Sequence, residues 1–248
     1  MINDGWTFGI ITDGYHQERV TKIIRSIVQQ KIKKYEIIIV GDNSKKYNLK
    51  ITNLTFHKFK DVGEWNDSSI NRIFPISAKK NIIINKSKYD KICFLHDYVI
   101  LDKDWYRGVL KFSFENDWDI LTNKIYNQDG TRVFDWVIIE HPLFYKKVTF
   151  LPYDKSFNSY QYIPGYYWCA KTVLMKSFKL NENLNWGEKE DIDWSFRVRK
   201  LKKFSFNPFS KVKFLKLKDG PWQKTHKRNN SLKVRSLLAK ILFKMNIL

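Results

Sequence analysis

Residues 7–44 read TFGIITDGYHQERVTKIIRSIVQQKIKKYEIIIVGDNS, and the order of patterns within them decides the fold class. Thr7 to Thr12 is a short apolar run that stops at Asp13-Gly14, as a buried strand followed by a turn does. Between Gln17 and Gln30, Val20, Ile23, Ile24, Ile27 and Val28 recur at helical spacing. Tyr35 to Val40 ends in four β-branched residues in a row and stops at Gly41-Asp42-Asn43-Ser44. Continuous β-branched runs belong to strands covered on both faces, as in parallel sheets. Strand, helix and strand within about 35 residues make a βαβ unit, the opening of a nucleotide-binding α/β sheet.

The same grammar continues outward. A helix over Ser77 to Lys88 leads into a strand over Lys91 to Leu95, which ends in His96-Asp97-Tyr98. Open α/β sheets bind ligands just beyond the carboxyl ends of their parallel strands. Asp13, Asp42 and Asp97 all have that placement. A helix follows near Trp105 to Phe114. Residues 151–168, rich in Tyr, Phe, Asn and Pro, read as a loop region placed to cover a site. Lys171 to Phe178 is a further helix, and Leu184 to Trp194 opens another that runs through Lys202. Glu188, Glu190, Asp191 and Asp193 crowd the start of that last helix. Carboxylates there complement the helix dipole, but four within six residues exceed what a cap needs, which points to catalysis by at least one. From Ser231 to Leu248 an apolar stripe (Leu232, Leu238, Leu242, Met245) alternates with Lys and Arg, a basic amphipathic helix.

Composition narrows the function classes. The chain has 248 residues, 43% of them hydrophobic, enough for one sizeable core. Aromatics at 16% exclude a disordered chain and suit a protein that stacks flat rings, although most will be core. Cys93 and Cys169 lack metal-ligand spacing and read as buried thiols in a reducing compartment. No basic-then-apolar leader and no membrane-length apolar run are present, so a cytoplasmic location is expected. The formal net charge is +20, and +15 of it follows Asp193, where Asp219 is the only acid. Such one-ended charge implies a polyanionic partner. Zinc-finger spacing and aromatic-basic RNA signatures are absent. An anionic membrane surface, with the protein peripheral at the inner membrane face, is therefore expected, and nucleic acid is not.

Three blocks in order carry a resemblance: residues 7–44 quoted above, ISAKKNIIINKSKYDKICFLHDYVILDKDW at 76–105, and NWGEKEDIDWSFRVRK at 185–200. Together they resemble the inverting glycosyltransferases of GT-A fold, family 2-like, which include bacterial polysaccharide and lipopolysaccharide sugar transferases. The resemblance spans roughly residues 6 to 226. It implies a GT-A domain at 1–228, a mainly parallel Rossmann-like sheet flanked by helices, with the basic amphipathic helix at 229–248 appended. The implied activity is transfer of a sugar, with inversion, from a nucleoside-diphosphate sugar to a hydroxyl of a glycan or lipid-linked acceptor. By the same similarity Thr12, Asp13 and Asp42 line the donor pocket, and Lys80 stands near the diphosphate where the family has Arg. Asp97 contacts the ribose or a metal, and Asp191, second of the Glu190-Asp191 pair, is the catalytic base. Trp186 and Glu188 fall on the acceptor side.

One departure matters. The family's acidic metal motif here reads His96-Asp97-Tyr98, so a carboxylate is missing. Some GT-A enzymes add a late His, and His226 stands where that ligand would be. Asp97 and His226 are thus the expected ligands of Mn²⁺ or Mg²⁺, with neutralisation of the diphosphate by Lys and Arg as the alternative. The competing functional readings are a catalytically degenerate protein of the same fold and a basic nucleic-acid- or membrane-binding protein.

Overall fold

A computed structural model describes residues 3–42, 51–61, 74–141, 148–156, 160–218 and 241. In chain order the elements are β1 (Asn3–Ile11), α1 (Gln17–Val28), β2 (Tyr35–Gly41), β3 (Leu54–Lys58), α2 (Ile76–Lys86), β4 (Tyr89–His96), β5 (Val99–Leu101), α3 (Trp105–Glu115), β6 (Ile120–Tyr126), β7 (Val137–Ile139), β8 (Val148–Phe150), β9 (Gln161–Tyr162), β10 (Tyr167–Lys171), α4 (Thr172–Ser177), α5 (Glu190–Val198) and β11 (Phe204–Phe214).

Eight strands form one sheet in the order β3-β2-β1-β4-β10-β6-β11-β5, and β8-β7-β9 form a small antiparallel sheet. β3, β2, β1 and β4 are parallel neighbours. β10 runs against both β4 and β6, β11 runs parallel to β6, and β5 closes the edge antiparallel to β11. The expected mainly parallel α/β sheet is therefore present, with β10 and β5 the two reversed strands.

Apolar runs at both faces explain the sheet. Side chains alternate along a strand. Phe8, Ile10, Ile37, Ile39, Cys93 and Leu95 enter one core, with α1 laying Val20, Ile23, Ile24 and Ile27 onto it. Ile38, Val40, Ile92 and Phe94 enter the other, beneath α2 and α4. Each fully buried aliphatic side chain contributes about 1.5–3 kcal/mol, so the unbroken β-branched runs stabilise two layers at once. Cys93 and Cys169 face each other across β4 and β10 as buried free thiols.

Several elements depart from the sequence reading. The helix expected from Leu184 through Lys202 is confined to α5, because Gly187 (φ 86°) and Lys189 (φ 66°) turn the chain left-handed before Glu190. Part of the expected loop at 151–168 is β9, paired with β7. β11 stands in the basic region read only as charge. Its Phe204, Phe206, Val212 and Phe214 point inward, and a register shift between Asn207 and Lys211 accommodates Pro208. The helix expected at 229–248 lies outside the described residues apart from Ile241. Among the described residues no helix is long and apolar enough to cross a membrane.

Candidate functional site

Parallel β1, β2 and β4 end on one rim of the sheet, so Thr12-Asp13, Asp42 and Asp97 emerge side by side. The Thr12 hydroxyl donates to Asp97 Oδ2 (2.9 Å) and accepts from the Gly14 amide (3.0 Å). Asp13 Oδ1 accepts from the Tyr15 amide (2.9 Å), an Asx-type turn that shapes the loop after β1. Gly41 approaches Thr12 so closely that a Cβ there would lie 2.6 Å from Thr12 Cγ2, which sets the half-buried Asp42 beside Thr12. Burial raises the Asp97 carboxyl above its ordinary range, and the neighbouring Asp13 charge pushes the same way.

The reversed strand β10 begins at this same rim. The His96 amide donates to the Tyr166 carbonyl (3.0 Å), so Gly165 and Tyr166 stand next to Asp97. Gly165 is the joint between the rim and the acidic segment. Its amide donates to Asp191 Oδ2 (2.8 Å), and its carbonyl accepts from Lys80 Nζ (2.7 Å). A Cβ on Gly165 would lie 2.9 Å from Glu190 Oε1, 3.1 Å from Lys80 Nζ and 3.2 Å from Asp191 Cβ, so only glycine fits without displacing these groups.

α2 brings the acidic segment in. Its Ser77, Lys80 and Asn81 lie at i, i+3 and i+4 on one face. Ser77 Oγ donates to the Leu184 carbonyl (3.0 Å), and Asn81 exchanges hydrogen bonds with the Leu180 backbone (2.9 and 3.1 Å). Lys79, on the adjoining face, donates to the Thr12 carbonyl (2.9 Å) and pairs with Asp61 (2.6 Å) while buried. The two consecutive lysines thus hold the two halves of the site, Lys79 the strand ends and Lys80 the acidic segment. Lys79 was not expected from the sequence; its only signal was two lysines in succession within a helix.

The four acids separate into distinct roles. Glu188 Oε2 accepts from the Asn185 amide (2.6 Å) and side chain (3.2 Å), closing the turn before α5. Asp193 pairs with Arg197 one helical turn on (3.1 Å). Glu190 is buried 3.8 Å from Lys80; burial raises its carboxyl, Lys80 lowers it and Asp191 raises it. Burial lowers the Lys80 ammonium, against the opposing pull of Glu190 and Asp191. Asp191 is half-buried at the rim, each oxygen taking one backbone N–H, from Gly165 and from Ile192 (2.9 Å). Trp186 is 57% exposed and meets Phe74 in a T-shaped contact, whereas Trp194 is core, its ring tilted against that of Trp168.

Two cations on the segment after β11 complete the rim and were not expected individually. The Leu215 amide donates to the Tyr98 carbonyl (2.8 Å), which carries Lys216 and Lys218 back over the Asp97-Tyr98 turn. Lys216 Nζ lies 4.1 Å from the centre of the Tyr98 ring and Lys218 Nζ 4.2 Å from that of Tyr166.

The fold recurs in solved structures. S. aureus TarS 1-349 in complex with UDP superposes with a TM-score of 0.57 at 16% identity, over 84% of this chain and 60% of that one. The complex of TarS 1-349 with UDP-GlcNAc gives 0.55 at 15%, over 96% and 66%. GalNAc-T7 with UDP, GalNAc and Mn²⁺ gives 0.59 at 14%, over 86% and 44%. The fold is GT-A. This GT-A chain spans 60% of the length of TarS 1-349. No family model matches the sequence, and no curated protein matches it.

Of the two expected metal ligands only Asp97 is among the described residues. A divalent ion on a diphosphate takes a set of oxygen ligands. Among the described residues no three His, Cys, Asp or Glu side chains gather; Asp97 accepts from Thr12, and the charges that act on it are Asp13 first, then His16 and Lys216. His226 lies outside the described residues.

Proposed function

We propose that this chain is an inverting glycosyltransferase that moves a sugar from a nucleoside-diphosphate sugar to a hydroxyl of a glycan or lipid-linked acceptor. One observation carries the reading. A half-buried carboxylate, Asp191, is held by the Gly165 amide at the same rim as the Thr12–Asp97 pair that ends the parallel strands. A donor seated over Thr12, Asp13, Asp42 and Asp97 has its sugar directed toward Asp191, with Trp186 and Glu188 on the acceptor side. The acceptor oxygen attacks the anomeric carbon as the bond from that carbon to the diphosphate breaks. Asp191 takes the hydroxyl proton, and the nucleoside diphosphate leaves. A single carboxylate base suits one direct displacement, and hence inversion. Glu190, buried against Lys80, is a positioning residue that keeps this ammonium charged under Gly165.

The UDP and UDP-GlcNAc complexes of TarS support a nucleotide-sugar donor. The Mn²⁺ in the GalNAc-T7 complex is consistent with use of a divalent ion, whereas among the described residues no group of three His, Cys, Asp or Glu side chains gathers around Asp97. The one-ended basic charge supports an anionic membrane surface as partner.

The test is calorimetric titration with UDP-, GDP-, CMP- and dTDP-sugars, followed by NMR of the product formed on a hydroxyl acceptor. Binding of one donor and a product of inverted anomeric configuration is expected. A chain that binds none of them, or that retains configuration, overturns the proposal. Gly165→Ala gives a second check. The added methyl displaces Asp191 and Lys80 by tenths of an ångström, and misplacement of this kind costs about 10- to 100-fold in rate. We expect kcat to fall by about that factor with donor KM nearly unchanged, measured by steady-state transfer assays.

A further inference from the structure

Resting on the glycosyltransferase reading, we propose that Lys216 and Lys218, with His96 beside them, form the seat of the donor's diphosphate, and that these ammonium groups supply the counter-charge usually given by a metal ion.

Position is the first argument. The charges that act on Lys216 are Asp97 and Asp13, at the nucleoside end of the rim, together with Arg19. Those that act on Lys218 are Asp191 and Glu190, at the sugar end, together with Lys216 and Lys80. The two ammonium groups therefore span the interval between the strand ends and the base, where a diphosphate joining nucleoside to sugar has to lie.

Unmet charge is the second. Among the described residues neither lysine has a carboxylate in ion-pair range; their neighbours are aromatic rings, and the Tyr98 hydroxyl stands 3.5 Å from Lys218 Nζ. A ring face attracts a cation but does not neutralise it. Burial, as the largest cause, brings the Lys218 ammonium down to about 8, the condition of a buried cation without a close anion. His96 adds an independent sign. Its Nε2 is buried without a hydrogen-bond partner among the described residues, and burial holds the ring well below its ordinary value, with Lys80, Lys218 and Lys216 pushing the same way. A phosphate oxygen over this turn would satisfy both ammonium groups, and His96 as well in the tautomer that carries its proton on Nε2.

The same arrangement explains the departure at His96-Asp97-Tyr98. The family's missing carboxylate is replaced by groups that present positive or neutral donors to the diphosphate. Electrostatic stabilisation of a departing anion is then supplied by the chain itself.

Calorimetry with UDP as the probe, on the full chain in EDTA, tests the proposal, with Lys218→Met, Lys216→Met and Lys218→Arg alongside wild type. Wild type should bind UDP in EDTA, and each Met variant should bind it at least about tenfold more weakly. Uridine should bind all proteins equally, and Lys218→Arg should recover most of the loss. Affinity of wild type should hold below pH 8 and fall above it as Lys218 loses its proton, a fall that Lys218→Arg should not show. Unaltered circular dichroism of the Met variants would establish that they fold. If UDP binds only with Mn²⁺ or Mg²⁺ present and the Met variants match wild type, the diphosphate seat is refuted while the transferase reading stands. If neither UDP nor any other nucleoside diphosphate binds under either condition, both fall together.

Discussion

Asp191→Asn is expected to lower the transfer rate by about 1,000-fold while donor affinity stays within about twofold of wild type, since general-base catalysis contributes about 10²- to 10⁴-fold. The substitution isolates the proton. Asparagine has the volume of aspartate, and its carbonyl oxygen can still accept from the Gly165 amide at 2.8 Å, so the joint between rim and acidic segment survives. What disappears is the basic lone pair that takes the acceptor hydroxyl's proton. Glu190 does not substitute for it: that carboxylate is buried against Lys80, and burial raises it toward the neutral form. Steady-state kinetics with the donor identified by calorimetry would decide the matter. A variant that turns over at the wild-type rate removes Asp191 from the chemistry. A variant that loses donor binding as well as rate shows instead that Asp191 shapes the pocket. Loss of kcat with donor KM preserved is the signature of an interaction made only in the transition state.

How legible this was depends on the kind of signal. The strands at Thr7, Tyr35 and Lys91 were readable because each is buried on both faces and hence continuously apolar, and their order alone put Asp13, Asp42 and Asp97 on one rim. β11 was hidden because its inward Phe and Val alternate with lysines, and the lysines dominate the composition of that stretch. With β11 unread, Lys216 and Lys218 count only toward the one-ended basic charge, whereas the Leu215–Tyr98 backbone contact folds them over the site. Gly165 and Lys79 could not be read for a different reason. Their roles come from contacts across 26 to 85 residues of chain, and no local pattern encodes such a contact. The acidic cluster exceeds the needs of a cap by composition alone. Which carboxylate does what became visible only when Glu188 was seen to close its own turn and Asp193 to pair with Arg197. The C-terminal helix at 229–248, His226 and the membrane partner rest on sequence alone.

Lys80→Met should be strongly destabilising. Removing one member of a buried charge pair costs about 3–5 kcal/mol, because the other is left buried without compensation. Here the loss has two parts. Glu190 forfeits the cation 3.8 Å away, and the Gly165 carbonyl forfeits its 2.7 Å donor in a place water does not reach easily. The sign with pH follows from Glu190. Burial already raises its folded-state carboxyl above the unfolded value, and Lys80 is the largest influence holding it down. Without Lys80 the folded-state value rises further, so Glu190 favours the fold at low pH and that contribution is lost as pH climbs through the raised value. The deficit of Lys80→Met relative to wild type should therefore be smaller near pH 5, where the Gly165 carbonyl's loss remains, and grow toward pH 8, as read by urea unfolding at both. Lys80→Met combined with Glu190→Gln should recover much of the stability, since no unpaired charge remains, and its profile should lose the pH dependence. A deficit in Lys80→Met that is the same at both pH values, with no recovery in the double variant, would mean that Lys80 acts through packing alone. The Glu190–Lys80 pair would then have no part in holding Gly165 and Asp191 in place.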